Sequence, residues 1–241
     1  MWALADRLRQ ALVGLGMFEA RPMPFVRGVD ASHVRVGNPL SEDEAFLRAE
    51  LCETLGRRAE HNLAHRVGDV RLFEIGSVFA RGEGAMPSEH LNLGVLLMGR
   101  RHPPHFSEPQ PPFVDEWDAK AVAEVAARVA FPGQPVSLVG GSGSALWIIR
   151  VGEKEVGHVS RLALDAPVWA GPAFGVEITL AVIATAAEAP PGQHNYMVGA
   201  APGAGGVPKY KPLPTMPAAE FDLALLVPKP VTVADVERVI R

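Results

Sequence analysis

The chain has one cysteine, Cys52, so it contains no internal disulfide and no four-thiolate metal centre. A reducing compartment, the cytoplasm, is the expectation. Neither sign of charge dominates, with 23 Lys+Arg against 27 Asp+Glu. No overall positive field draws nucleic acid by bulk electrostatics, and any such contact is local or belongs to a partner. No apolar run approaches the roughly 18 residues that a membrane span needs. The opening MWALADRLRQAL carries charge inside its apolar pattern, unlike a secretory leader, so no membrane association is expected. What the chain does have is 48% hydrophobic residues over 241 positions. A folded chain of this size buries roughly 70% of its unfolded surface, enough for one full core.

Leu4, Leu8, Leu12 and Leu15 recur at helical spacing with Asp6, Arg7, Arg9 and Gln10 between them, and Gly14 and Gly16 end that helix. Pro22 and Pro24 remove ladder donors, so the segment from Met17 to Val26, if extended, lies at a sheet edge. A short strand follows around Val34 to Val36. Ser41 with Glu44 three residues on fits a capping box, and Phe46, Leu47, Leu51 and Leu55 continue a helical period to about Leu63. After Gly68 the period changes to two, and strands are predicted at 70–80, 91–98, 145–151, 155–161 and 174–184. DEWDAKAVAEVAARVAF between them is a helix, and RVGEKEVGHV is a hairpin turning near Gly152 to Lys154. Segments 100–113 and 188–217 are rich in Pro and Gly and read as loops. Beyond them FDLALLV reads as a strand apolar on both faces, and Thr232 with Asp235 caps a last helix.

Several constellations imitate active sites. His61 and His65 have the helical spacing of a zinc pair, but Asn62 stands where a zinc protease needs Glu, and no third ligand is evident; a solvated basic helix face is the better reading. GGSGS at 140–144 lacks the Lys-Ser/Thr ending of a phosphate loop and leads into a strand, which favours a hairpin loop. Cys52 falls near the apolar stripe of its helix with no base to activate it. Glu74, in DVRLFEIGSVFARG, shares a strand face with Leu72, Gly76 and Val78. A carboxylate so placed needs a cationic or hydrogen-bonding partner, with Arg71, Arg48 and Arg58 as the candidates. No companion acid or histidine is identifiable by spacing, so a structural role is favoured over general acid–base work.

GLGMFEARPMPFV, NPLSEDEAFLRAEL, RAEHNLAHRVGDVRLFEIGSVF, SEHLNLGVLLMG, DEWDAKAVAEV and VGEKEVGHVSRLALD occur in one order and spacing. Together they resemble the non-catalytic core of the bacterial phenylalanyl-tRNA synthetase β subunit. The resemblance implies an α+β fold, an antiparallel sheet flanked by helices, like a class II aminoacyl-tRNA synthetase core. It divides the chain into a core at 1–187, a Gly/Pro-rich linker or insertion at 188–208, and the start of a ferredoxin-like anticodon-binding domain at 209–241. By the same resemblance residues 70–98 correspond to the two strands that hold ATP in working relatives. Where those relatives place a phosphate-clamping arginine this chain has Ala80, with Arg81 one step late, and the second strand offers only Asn92. Gly203, Gly205 and Lys209 are the lookalike of the glycine–arginine signature, with Pro208 opposing the helix that should follow.

The resemblance therefore implies no catalytic residue, no metal and no cofactor on this chain. ATP and Mg are expected on a catalytic α subunit that the chain braces in an (αβ)2 assembly, with tRNA(Phe) reached through the complex. Leu4, Leu8, Leu12, Leu15, Phe46, Arg48 and Asn62 are the candidate interface residues. Asn38, Pro39, Glu74 and Gly76 are motif residues with structural roles. The alternative is a free-standing class II-like paralogue that binds a small ligand or RNA.

Overall fold

The computed structural model describes residues 2–28, 32–82, 87–183, 225–228 and 230–240. The chain divides into two units, residues 1–205 and 206–241. In the first unit, α1 (Trp2–Gly14) is followed by β1 (Phe18–Glu19), β2 (Phe25–Val26), β3 (Val34–Arg35) and β4 (Phe46–Leu47). Then come α2 (Leu51–Ala64), the long hairpin β5 (Val70–Ala80) and β6 (Ser88–Met98), and α3 (Glu116–Ala130). The meander β7 (Val136–Gly140), β8 (Ala145–Val151), β9 (Lys154–Leu162) and β10 (Ala173–Ile183) completes it. Among the described residues seven strands form one sheet in the order β1-β5-β6-β10-β9-β8-β7, and β2-β4-β3 form a second. All pairings in the large sheet are antiparallel except that of β1 with β5. β1 is an edge strand, as Pro22 and Pro24 just beyond it require.

The strand periodicity fills both faces of the sheet. Phe73, Leu93, Val95, Val176 and Ile178 project to one side, where Leu8 and Leu12 of α1 and the alanines of α3 close a core. Asp115 caps α3 by accepting from the Trp117 and Asp118 amides, and the Asp118 carboxylate in turn accepts from the Asp115 amide. Its buried Ala119, Ala123, Ala126, Ala127 and Ala130 let the helix lie close. On the other face α2 packs Leu55, Ala59 and Leu63 over Val70, Leu96 and Met98. The turns at GGSGS and at Gly152 (φ 60°) join β7 to β8 and β8 to β9, as expected.

One predicted helix is corrected. Ser41 is extended and makes no cap bond, Glu42–Glu44 form only a 3-10 turn, and Phe46–Leu47 are a strand. Tertiary bonds hold this stretch open: the Val36 amide donates to Ala45 O, the Arg48 amide to Pro24 O, and the Phe79 amide to Arg48 O. Ala45 and Phe46 are buried with Val26. α2 starts at Leu51, where Glu50 as N-cap and Glu53 form a reciprocal capping box. Phe46 and Arg48 therefore precede the helix, and the strand β7 was not anticipated.

In the second unit α4 (Val233–Ile240) begins where predicted, with Thr232 Oγ1 accepting from the Asp235 amide and donating to the Asp235 carboxylate at 2.7 Å. The expected strand FDLALLV lies outside the described residues at 221–224. Its remaining residues, 225–227, have no regular structure and are exposed, there being no partner strand among the described residues of this unit.

Candidate functional site: a buried polar seam beneath α2

Glu74 on β5, Gly94 on β6 and Glu177 on β10 stand in one row, because β6 pairs Glu74 with Gly94 on one side and Glu177 with Gly94 on the other. The row continues to His158 on β9. Directly opposite residues share a face, so two carboxylates flank a residue with no side chain. The first turn of α2 fills that notch. A Cβ on Gly94 would lie 2.4 Å from Leu51 Cβ, so the sheet leaves room for the helix only because position 94 is glycine.

Each carboxylate has its own partner. Arg48 grips Glu74 with a two-pronged fork, Nη1 to Oε2 and Nη2 to Oε1, both 2.8 Å. The same guanidinium donates to Thr54 Oγ1 and, through Nε, to Ser77 O, each at 2.9 Å. Arg48 is 3% exposed and Glu74 4%. Burial pushes the Glu74 carboxyl up, and the hydrogen bonds and charge of Arg48 pull it back. With both oxygens held by one planar fork, the ionised pair is the form that the geometry favours. Gly76, the next residue on that face, makes the fork possible: a Cβ there would meet Glu74 Oε1 at 2.6 Å and Arg48 Nη2 at 2.7 Å. Gly76→Ala is expected to lower stability by about 1–3 kcal/mol, the usual range for overpacking, read from the urea midpoint.

Glu177 sits at the N-terminus of α2. Its oxygens accept from the Leu51 amide at 3.0 Å and the Cys52 amide at 3.3 Å, and from Asn92 Nδ2 at 2.8 Å. Desolvation still dominates, with Glu50 adding repulsion, and the carboxyl is raised to about 7. Asn92 Oδ1 is buried without a hydrogen-bond partner among the described residues. Cys52 packs beneath, and burial, then the charge of Glu177, pushes its thiol well up, which keeps it an un-ionised, inert group. Sequence reasoning passed over Glu177. Its only cue is the one that marked Glu74, an acid inside a strand whose neighbours are apolar.

The remaining candidates separate. Leu8 and Leu12 are 0% exposed within this chain's own core, so they are corrected from interface to core residues; Leu4 is half-buried and Leu15 is 38% exposed. Phe46 and Arg48 are likewise internal. Asn62 donates to Arg58 O on its own helix, at 2.7 Å. Asn38 is exposed and Pro39 half-buried in the turn before Leu40. His65 Nδ1 lies 2.8 Å from His61 O, and the two rings are 4.5 Å apart; no cluster of three metal-ligating groups occurs among the described residues. Ala80 ends β5 exposed, and the Arg81 side chain donates to His33 O at 3.3 Å. Gly203, Gly205 and Lys209 lie outside the described residues.

A long antiparallel hairpin within a helix-flanked sheet is also the architecture of known enzymes. Two structures of pyrrolysyl-tRNA synthetase from Desulfitobacterium hafniense match with a TM-score of 0.54 at 16% identity, over 74% of this chain and 64% or 66% of theirs. The fold is that of a class II aminoacyl-tRNA synthetase core. The family model of the phenylalanyl-tRNA synthetase beta chain CLM domain matches residues 1–163, and the chain belongs to that family. Phenylalanine–tRNA ligase beta subunits of Novosphingobium aromaticivorans and Anaeromyxobacter dehalogenans are 31% and 32% identical over 99% and 98% of the chain. The chain spans 30% of the length of each of these relatives.

Proposed function

We propose that the chain is a non-catalytic β-subunit core of phenylalanine–tRNA ligase, which braces a catalytic α subunit in an (αβ)2 assembly in the cytoplasm. ATP and Mg belong to the α subunit in this reading, and tRNA(Phe) engages the complex. One observation supports it above the rest: the two carboxylates buried on the α2 face of the sheet, Glu74 and Glu177, are committed to internal partners. Glu74 is held by Arg48, Glu177 accepts from the Leu51 and Cys52 amides and from Asn92 Nδ2, and of these groups Asn92 Oδ1 alone has no partner among the described residues. Ala80 leaves a methyl group where a phosphate-gripping arginine would act.

The test is coexpression with a phenylalanine–tRNA ligase α subunit. Copurification is expected, with no ATP/pyrophosphate exchange by the isolated chain. A chain that folds but does not associate, or that alone exchanges pyrophosphate, refutes the reading. Exposed Leu15 and Phe18, at 38% and 71%, replace Leu8 and Leu12 as the interface probes.

A further inference from the structure

The net charge of –4 conceals a cationic face on α2. Its outward side presents Arg57, Arg58 and His61, followed beyond the last turn by His65 and Arg66. Glu60 is the one acid among residues 57–66, and it is committed elsewhere, accepting from the Asp165 amide at 2.9 Å. Arg58 and Arg66 have no ion-pair or hydrogen-bond partner for their side chains among the described residues, and both are exposed. At the start of this row Arg57 and Arg58 meet Arg21 around a cavity of about 300 Å³.

Glu44 in the cavity wall and Glu19 beside it neutralise these cations incompletely. Glu44 pairs with Arg57 through Nη1 at 2.7 Å, which leaves the rest of that guanidinium free to donate. Glu19 is shared between Arg21 at 3.2 Å and Arg9 at 3.0 Å. Six residues, about 9 Å at helical rise, separate Arg58 from the end of α2 at Ala64, and Arg66 lies just beyond it. That stretch is longer than the roughly 3.4 Å axial spacing of phosphates along one strand of a DNA duplex, so it reaches more than one phosphate. Guanidinium forks suit phosphate oxygens, which they can grip with two parallel hydrogen bonds.

We propose that the cavity at Arg21, Arg57 and Arg58, continued by Arg66, is a docking site for the phosphate backbone of RNA. The proposal rests on the synthetase-subunit reading for the presence of an RNA substrate, and it deepens that reading by assigning the contact to α2. Binding is sequence-independent and falls steeply with salt.

The experiment compares RNA binding by the purified chain with that of two charge-matched double variants. Arg58→Gln with Arg66→Gln removes the two unpaired cations of the site. Arg150→Gln with Lys154→Gln removes two exposed cations from the β8–β9 hairpin. A labelled RNA stem-loop is titrated across a salt series. The first variant is expected to bind about tenfold more weakly, with a salt slope shallower by about 0.9 for each lost phosphate contact. The hairpin variant is expected to match the wild type.

Equal weakening in both variants, or none in the first, overturns the site. Inorganic phosphate or a polyglutamate peptide that binds as tightly as the RNA overturns the assignment to a nucleic-acid backbone. Copurification with the α subunit is scored in parallel. Loss of RNA binding with assembly intact supports the site, and failure of the wild type to assemble refutes the subunit reading while leaving the RNA comparison to decide the site.

Discussion

Arg48→Met should be the most damaging conservative-volume substitution in the chain, lowering stability by about 3–5 kcal/mol, because it strands a buried carboxylate. The Glu74 carboxylate, Ser77 O and Thr54 Oγ1 all lose their donor together. With the guanidinium gone, nothing strong opposes the desolvation that already pushes Glu74 up. Its folded-state value then rises further above the unfolded one, and a raised carboxyl contributes stability that is lost as pH rises. The variant should therefore be less impaired in mild acid than at alkaline pH. Arg48→Met with Glu74→Leu removes both charges and should recover much of the loss, though Ser77 O stays unpaired. Urea unfolding of the two single variants and the double at two pH values completes the cycle. A single-variant cost below about 1 kcal/mol, the range of exposed pairs, would mean that the pair is solvated in solution.

The same pair shows how far the sequence could be read. An acid among Leu72, Phe73 and Ile75 had to have a partner, because its burial is costly unless compensated, and Arg48 was among the few candidates. Which arginine it was depended on the backbone of 45–50, and there the local signal misled. Ser41 and Glu44 match the helix-start pattern better than Glu50 and Glu53 do, since Ser is the commoner cap. Three tertiary backbone bonds and the burial of Phe46 outweigh that preference. α3 was legible because Asp115, Asp118 and its alanine spacing all agree. Strands β5 and β8 were legible to the residue because glycines bound them, Gly68 before β5 and Gly143 and Gly152 on either side of β8.

α1 was legible as a helix but not in its role. Leucines at spacings of four and three state that a face is apolar, and say nothing of whether the chain itself or a partner covers it. α3 lies about a hundred residues away in sequence, and it covers Leu8 and Leu12. The row of Glu74, Gly94 and Glu177 was invisible for a related reason. It exists only through strand register, and β6 and β10 are separated by α3 and the whole β7–β9 meander. No spacing along the chain encodes it.

Glu177→Gln is expected to change the pH dependence of stability more than any other single substitution. The Glu177 carboxyl is raised from 4.5 to about 7 in the folded chain. Below the unfolded value both states hold the proton, and the group imposes no penalty. Between there and about 7 the unfolded state releases its proton while the folded state keeps it, so stability falls as pH rises; above about 7 the loss is complete. The shift corresponds to about 3 kcal/mol at 1.36 kcal/mol per unit. A glutamine side chain has no proton to lose, so the variant should gain about that much relative to the wild type between mildly acidic and mildly alkaline pH. Glu50, His158 and Cys52 border the site and are unchanged in the variant. The absolute cost at low pH reports something else, the Cys52 amide at 3.3 Å facing an amide group in place of a neutral carboxyl group. A wild-type-minus-variant difference that stays flat with pH would show Glu177 ionised throughout, its charge held by the N-terminus of α2 and Asn92 against the desolvation around it.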